Sequence, residues 1–354
     1  HPHPDAVEYA LSARTLVESG RFAISVNGTE LPSRYGWGFP LLIVPAYLLT
    51  GVVYTHAIYA VLACSLLNVV LVFALGAVLF GPWAGLVAAG ILALYPNQLN
   101  YAGRLMTEVP ATFLLALATY LFLRGRFFPA GCAFGGAVWF RTPLVPLLGL
   151  YGVILLWRRA GMKALALLLA GPLLLWGVNH GLERAGVVAP PSTTGFNLVL
   201  SSYRPYAGTK TAPSQEQFEH PWRTYIHSAV SNPGSFLADR ALSLYYLWGP
   251  CAWEIRSPIL KWVMGIRCPL FILSIAAVFL AWRARAPFPT VAALFSPILV
   301  VTAIHVMFFS TSRFTFTMEP FAVVLSVWAL REMVPSLRGR VGPETGGVTI
   351  TREG

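Results

Sequence analysis

Apolar windows of about 20 residues recur from residue 57 to 182 and again from 262 to 332, separated by short basic turns and one long polar stretch. Wound as a helix at ~1.5 Å per residue, each window is about 30 Å long, the thickness of a hydrocarbon core. Backbone amides inside such a core must satisfy one another, so these windows read as membrane helices. Apolar length and the punctuation by proline and glycine predict nine spans, at 57–80, 83–97, 108–123, 127–141, 142–157, 163–182, 262–282, 288–308 and 314–332. The stretch from Phe39 to Tyr54 is also apolar but is interrupted by Pro45 and Gly51, which makes it an interfacial helix or a tenth span.

Composition agrees with this pattern. The 354 residues are 56% hydrophobic and 11% charged, against roughly 25% charged in an average soluble domain. The expected fold class is an all-α polytopic membrane protein: one domain over residues 1–340 and a polar, Gly-rich, disordered cytoplasmic tail at 341–354. The chain begins at His1, inside what reads as an extramembrane segment, and a first transmembrane helix is expected upstream.

The net charge of +11 raises nucleic acid as a partner, but the basic residues are scattered over loops, with no basic helix, zinc spacing or stacking aromatics to receive a strand. Beside span ends they set orientation instead. Arg124, Arg126, Arg158, Arg159, Lys163, Arg283, Arg285, Arg331, Arg338 and Arg340 fall on one side of the predicted topology, which the positive-inside rule makes cytoplasmic. Residues 1–38, 95–107, 183–261 and 310–313 then lie on the outer face, where any chemistry is expected. Cys64, Cys132, Cys251 and Cys268 show no metal-ligand spacing, and no cysteine chemistry is expected of them.

Asp5 and Asp239 are the two aspartates of the chain. Asp5, Glu8, Tyr9 and Ser12 follow helical spacing and form a polar, partly acidic stripe, with Ala6, Ala10, Ala13 and Val17 on other faces. Acidic residues at a helix start also simply favour the helix dipole, and both readings stay open. The segment LPSRYGWGFPLL concentrates Arg34, Tyr35 and Trp37 just before an apolar run. Trp37 reads as an aromatic-belt residue, while Arg34 is placed to hold a lipid phosphate. Glu108 with Arg104 one turn earlier, Arg141 between two spans, and Arg313 with Glu319 are ionisable groups at or inside span ends, where lipid exposure costs a few kcal/mol. They are either structural ion pairs or the lining of a hydrophilic pocket for a charged head group. No Walker loop, GxSxG, HExxH or dinucleotide fingerprint occurs.

Seven segments in sequence order resemble the GT-C membrane glycosyltransferases, specifically the bacterial relatives of protein O-mannosyltransferases and lipid A aminoarabinose transferases. They are PDAVEY, SRYGWGFPLL, GRLMTEVPATFLL, the Arg-Thr-Pro at 141–143, TTGFNLVLSSYRPYAGT, NPGSFLADRALSLYYLWGP and SRFTFTMEPFAVVL. The resemblance implies a multi-helix transmembrane bundle that moves a sugar, with inversion, from a polyprenyl-phosphate donor to a hydroxyl of a lipid, glycan or protein acceptor. It places Asp5 on the first-loop acidic position, as general base. Family members often carry Glu directly after that Asp; Ala6 stands there in this chain, and Glu8 is the alternative carboxylate. Arg34 falls near the basic position that contacts the donor phosphate, and Arg313 on the basic residue opening the last span. Arg141 is a third candidate phosphate ligand, and Tyr9, Tyr35, Arg104, Glu108 and Glu319 are candidate pocket residues. The scheme requires no metal cofactor, although a divalent ion is compatible with it. The expected location is the bacterial cytoplasmic membrane with the site on the outer face. Two other classes use similar features: a polyprenyl-linked glycan ligase or polymerase, and a transporter or lipid flippase, for which the repeated halves common in transporters are missing.

Overall fold

Proline and glycine set the helix lengths. Gly51 and Gly81 end their helices at φ 88° and 89°, a conformation that costs glycine little, and Pro82 starts the next helix directly after Gly81. The structure, a computed structural model, describes residues 4–26, 29–31, 33, 35–185, 215–249, 265–284, 288–308 and 312–334. Arg34, Cys251, the motif TTGFNLVLSSYRPYAGT and the tail 341–354 lie outside the described residues.

The elements run α1 (Pro4–Ser19), β1 (Ile24–Val26), β2 (Thr29–Leu31), α2 (Gly38–Thr50), α3 (Tyr54–Phe80), α4 (Pro82–Ala93), α5 (Pro96–Ala102), α6 (Glu108–Leu123), α7 (Phe127–Phe140), a 3-10 turn (Thr142–Leu144), α8 (Val145–Trp157) and α9 (Gly161–Arg184). They continue with α10 (Gln215–Glu219), α11 (Pro221–Ser231), α12 (Pro233–Trp248), α13 (Arg267–Ala284), α14 (Phe288–Met307), a second 3-10 turn (Ser312–Thr317) and α15 (Glu319–Met333). The all-α membrane architecture stands, with one addition: β1 and β2 pair antiparallel, Ile24 opposite Leu31 and Val26 opposite Thr29.

Three of the described helices are long and apolar enough to cross a membrane: α3, α9 and α14, of 27, 24 and 20 residues. Most other predicted spans are apolar helices of 12 to 16 residues, about 18–24 Å long. The span expected at 83–97 stops at Ala93 because Pro96 opens a separate helix. That expected at 314–332 starts as α15 only at Glu319, the residues before it forming the second 3-10 turn.

The main core runs through α3, α4, α6 to α9 and α12 to α15, with Leu115, Phe122, Phe134, Tyr151, Leu294 and Phe321 fully buried. Small residues bring helices together: a Cβ on Gly131 of α7 would run into the Leu168 carbonyl of α9, and one on Gly171 of α9 into the Gly131–Cys132 backbone. A second cluster joins Ala6, Tyr9, Ala10 and Ala13 of α1 to Phe39, Ile43 and Tyr47 of α2, and to Ala57 and Val61 of α3. The polar stripe of α1 does not face a different medium from its alanines, since Glu8 and Ser12 are as buried as Ala6 and Ala10.

The bundle has two chemically distinct ends. Arg331 donates to the Phe80 carbonyl at 2.8 Å and Arg158 to Thr290 Oγ1 at 3.0 Å, so the last turns of α3, α8 and α15 and the first turn of α14 share one end. At the opposite end the start of α6 meets the C-terminus of α7, and the second 3-10 turn before α15 meets both the start of α6 and, through Phe314 stacked on His305, the C-terminus of α14. There α11 and α12, from the long polar stretch, cover the end of α14: Tyr225 donates to the Met307 carbonyl at 2.7 Å, and Arg240 bonds the same carbonyl.

Candidate active site

Four charged side chains from four separated segments meet at that second end. Asp5 stands in the first turn of α1, whose small buried alanines let it lie against α2. Its Oδ1 accepts a hydrogen bond from the Tyr35 hydroxyl at 2.8 Å, and its Oδ2 lies 3.3 Å from Arg313 Nη1. Arg313, on the second 3-10 turn, also places Nε 3.5 Å from Glu108 Oε1. The same Glu108 oxygen is 2.7 Å from Nη1 of Arg141, at the C-cap of α7. The order along this chain of charges is therefore Asp5, Arg313, Glu108, Arg141.

Exposure divides the four. The Asp5 and Arg313 side chains are 17% and 26% exposed, whereas those of Glu108 and Arg141 are 3% and 8% exposed. The first pair is partly exposed, and the second pair is buried. Phe314 supports both arginines, with the Arg141 and Arg313 guanidiniums 4.8 and 5.1 Å from its ring centre. Burial by itself would lower the Arg313 pKa, but the Glu108 and Asp5 carboxylates outweigh it and raise the pKa above the usual arginine value. Tyr9 packs against Tyr35 and Phe39 with ring centres 4.9 and 4.7 Å apart. Burial, reinforced by the Glu108 carboxylate, holds its hydroxyl pKa well above normal, so it remains a hydrogen-bond donor.

Two sequence pairings are corrected. Glu108 does not pair with Arg104, which is exposed and lies 5.7 Å from the Tyr101 ring; its partners are Arg141 and Arg313. Glu319 does not pair with Arg313. It accepts from Asn97 at 2.7 Å and Thr315 at 2.8 Å, because the 3-10 turn carries Arg313 toward α1 while Glu319 opens α15 toward α5. Arg141, proposed as a phosphate ligand, has its guanidinium on Glu108. Glu8 is 7% exposed and accepts from Ser33 at 3.2 Å, one turn further into the protein than Asp5.

Three features escaped the sequence. Arg267, inside a predicted span, is fully buried and donates to the Leu247 and Gly249 carbonyls at 3.2 and 3.4 Å. Asn97 is buried on the short helix α5, where the predicted span 83–97 overlaps the expected outer segment 95–107. Trp37 is more than a belt residue, since its indole N–H and that of Trp139 both donate to Asn179 Oδ1, at 2.8 and 3.3 Å. The presence of Arg267, Asn97 and Asn179 in or beside apolar windows was the available signal.

Among the described residues no group of three His, Cys, Asp or Glu side chains is placed to hold a metal ion. Both carboxylates of the described site are bound to guanidiniums.

No protein-family model matches the sequence, and no curated protein matches it. Solved structures do. The oligosaccharyltransferase of Archaeoglobus fulgidus in its apo form aligns over 96% of this chain and 47% of its own, with TM-score 0.58 and 13% identity. Archaeal oligosaccharyltransferase AglB from the same organism, in complex with an inhibitory peptide and a dolichol-phosphate, aligns over 97% and 48%, with TM-score 0.52 and 14% identity. ArnT from Cupriavidus metallidurans bound to undecaprenyl phosphate aligns over 97% and 77%, with TM-score 0.46 and 16% identity. This chain spans about half the length of the oligosaccharyltransferase chains it matches. Helix order and packing over nearly the whole of this chain thus agree with a membrane oligosaccharyltransferase, and the chain has the GT-C fold.

Proposed function

We propose that this chain is the membrane catalytic portion of an inverting glycosyltransferase that takes a sugar from a polyprenyl-phosphate carrier and transfers it to an acceptor hydroxyl. The observation that carries this reading is the meeting of Asp5 and Arg313, one carboxylate and one guanidinium, accessible at one end of a bundle with the GT-C fold. The fold relative AglB was solved with a dolichol-phosphate and a peptide, which supports a lipid-linked donor and a separate acceptor.

Asp5 takes the proton of the acceptor hydroxyl as its oxygen forms a bond to the anomeric carbon. The bond from that carbon to the phosphate oxygen breaks on the opposite face, which inverts the centre. The polyprenyl phosphate leaves with the bonding electron pair, and the Arg313 guanidinium stabilises the charge that develops on it. Arg34 is the proposed second phosphate ligand, and no metal is assigned a part.

The site faces away from the cytoplasm in this reading. Arg158 and Arg331 mark the end opposite Asp5, and Arg124 and Arg126 cap the helix ends on that side, the distribution the positive-inside rule assigns to the cytoplasmic face. The proposed location is the bacterial cytoplasmic membrane.

The test is transfer by the complete protein in lipid nanodiscs, supplied with a panel of polyprenyl-phosphate sugars and membrane extract as acceptor. Sugar-dependent release of polyprenyl phosphate, together with a surface glycan missing from cells lacking the gene, is the expected result. Unchanged glycans and no release with any donor would overturn the reading.

A further inference from the structure

In the centre as it stands, the proposed base and the proposed phosphate ligand hold each other. Asp5 Oδ2 occupies Nη1 of Arg313, a tip that a donor phosphate would also need. Glu108 approaches a different edge of the same guanidinium, at Nε, from a site 3% exposed, and is itself held by Arg141 at 2.7 Å. The inner contact is fixed by burial, and the outer one opens on solvent.

We infer that Glu108 is a positioning residue that keeps Arg313 in place, and that the Asp5–Arg313 ion pair is the empty form of the centre, opened when a donor phosphate displaces Asp5. The charges support this order. Among the described residues Asp5 Oδ2 stands on Nη1 of Arg313, so a phosphate arriving at that tip competes directly with a carboxylate. Glu108 is too buried to leave, because separating it would strand two arginines, whereas Asp5 moves into a solvent-reachable position. Tyr35 keeps its hydroxyl on Asp5 Oδ1 and limits how far the carboxylate travels. Once displaced, Asp5 Oδ2 no longer has the Arg313 guanidinium on it and is open to the acceptor hydroxyl. Donor binding therefore arms the base, and an acceptor arriving first meets a carboxylate already occupied.

This inference rests on the transferase reading, and its test separates the two. Binding of undecaprenyl phosphate to the complete protein in nanodiscs is measured for wild type, Asp5→Asn, Asp5→Ser, Arg313→Gln and the Asp5→Asn/Arg313→Gln pair. Removing the competing carboxylate should tighten binding by roughly 3- to 10-fold in both Asp5 variants, the worth of a partly exposed ion pair with a like charge removed. The gain should vanish in the Arg313→Gln background. Glu108→Gln should weaken binding by about 10-fold, Glu108→Asp should recover part of that loss, and neither should matter once Arg313 is Gln. Asp5 variants that bind no tighter than a binding-competent wild type would overturn the displacement. A Glu108→Gln loss that persists in the Arg313→Gln background would overturn the positioning role. A wild type that binds no undecaprenyl phosphate would sink the transferase reading along with both.

Discussion

Asp5 and Arg313 are 308 positions apart in the chain, and their side chains meet at 3.3 Å. This contact closes α1 against the entry to α15, and it places the proposed base beside the proposed phosphate ligand at one end of the bundle.

If Asp5 is the base, Asp5→Asn should lower kcat by about 100-fold or more without loss of donor-lipid binding, because the amide keeps size and hydrogen bonding but takes no proton. Glu8→Gln should retain most of the transfer, since Glu8 is buried on Ser33. A single-turnover assay with a polyprenyl-phosphate sugar distinguishes them, and the opposite pattern would assign the base to Glu8.

The Glu108–Arg141 pair should matter more to stability than an exposed ion pair. Arg141→Met should destabilise the protein by roughly 3 kcal/mol, because it removes the shorter of two contacts to a buried carboxylate. Arg14→Met breaks an exposed pair with Glu18 and should cost ~0.5 kcal/mol or less. Thermal unfolding in detergent, followed by loss of monodisperse protein, checks the difference.

Packing of α7 on α9 depends on glycine at both sides of the contact. Gly131→Val and Gly171→Val each place a side chain where the neighbouring backbone already stands, and each should cost ~1–3 kcal/mol or more. Gly149→Ala, with open space around its Cβ position, should be tolerated. Expression level and melting temperature read out the contrast.

The orientation can be checked with single cysteines in a cysteine-free background. Cysteine at Glu216, exposed in α10, should react with an impermeant maleimide in intact cells. Cysteine at Arg126, exposed at the N-cap of α7, should react only after permeabilisation. The reverse result would place the Asp5 end in the cytoplasm.

The sequence by itself determined the class of molecule and the helices. Apolar windows with proline and glycine between them placed α3, α6, α7, α8, α9 and α14 close to their observed bounds, because in lipid a backbone has few alternatives to the helix. It also singled out Glu108, Arg141 and Arg313, since charges beside apolar windows are rare enough to notice, Asp5 as one of two aspartates on a polar helical stripe, and Tyr35 from the segment LPSRYGWGFPLL. The partners of those charges were decided only by tertiary structure. Reading along the chain grouped Glu108 with Arg104, one helical turn away, and Arg313 with Glu319, at the opening of the same predicted span. In the fold, Arg104 sits exposed beyond the start of α6, and a 3-10 turn swings Arg313 away from Glu319 onto α1. Trp37, Asn97 and Arg267 gained their roles in the same way, from helices brought alongside by packing. Local spacing limits which residues lie near one another on a single helix, but charge compensation in a buried site is set by which helix ends converge, and that is a property of the whole bundle.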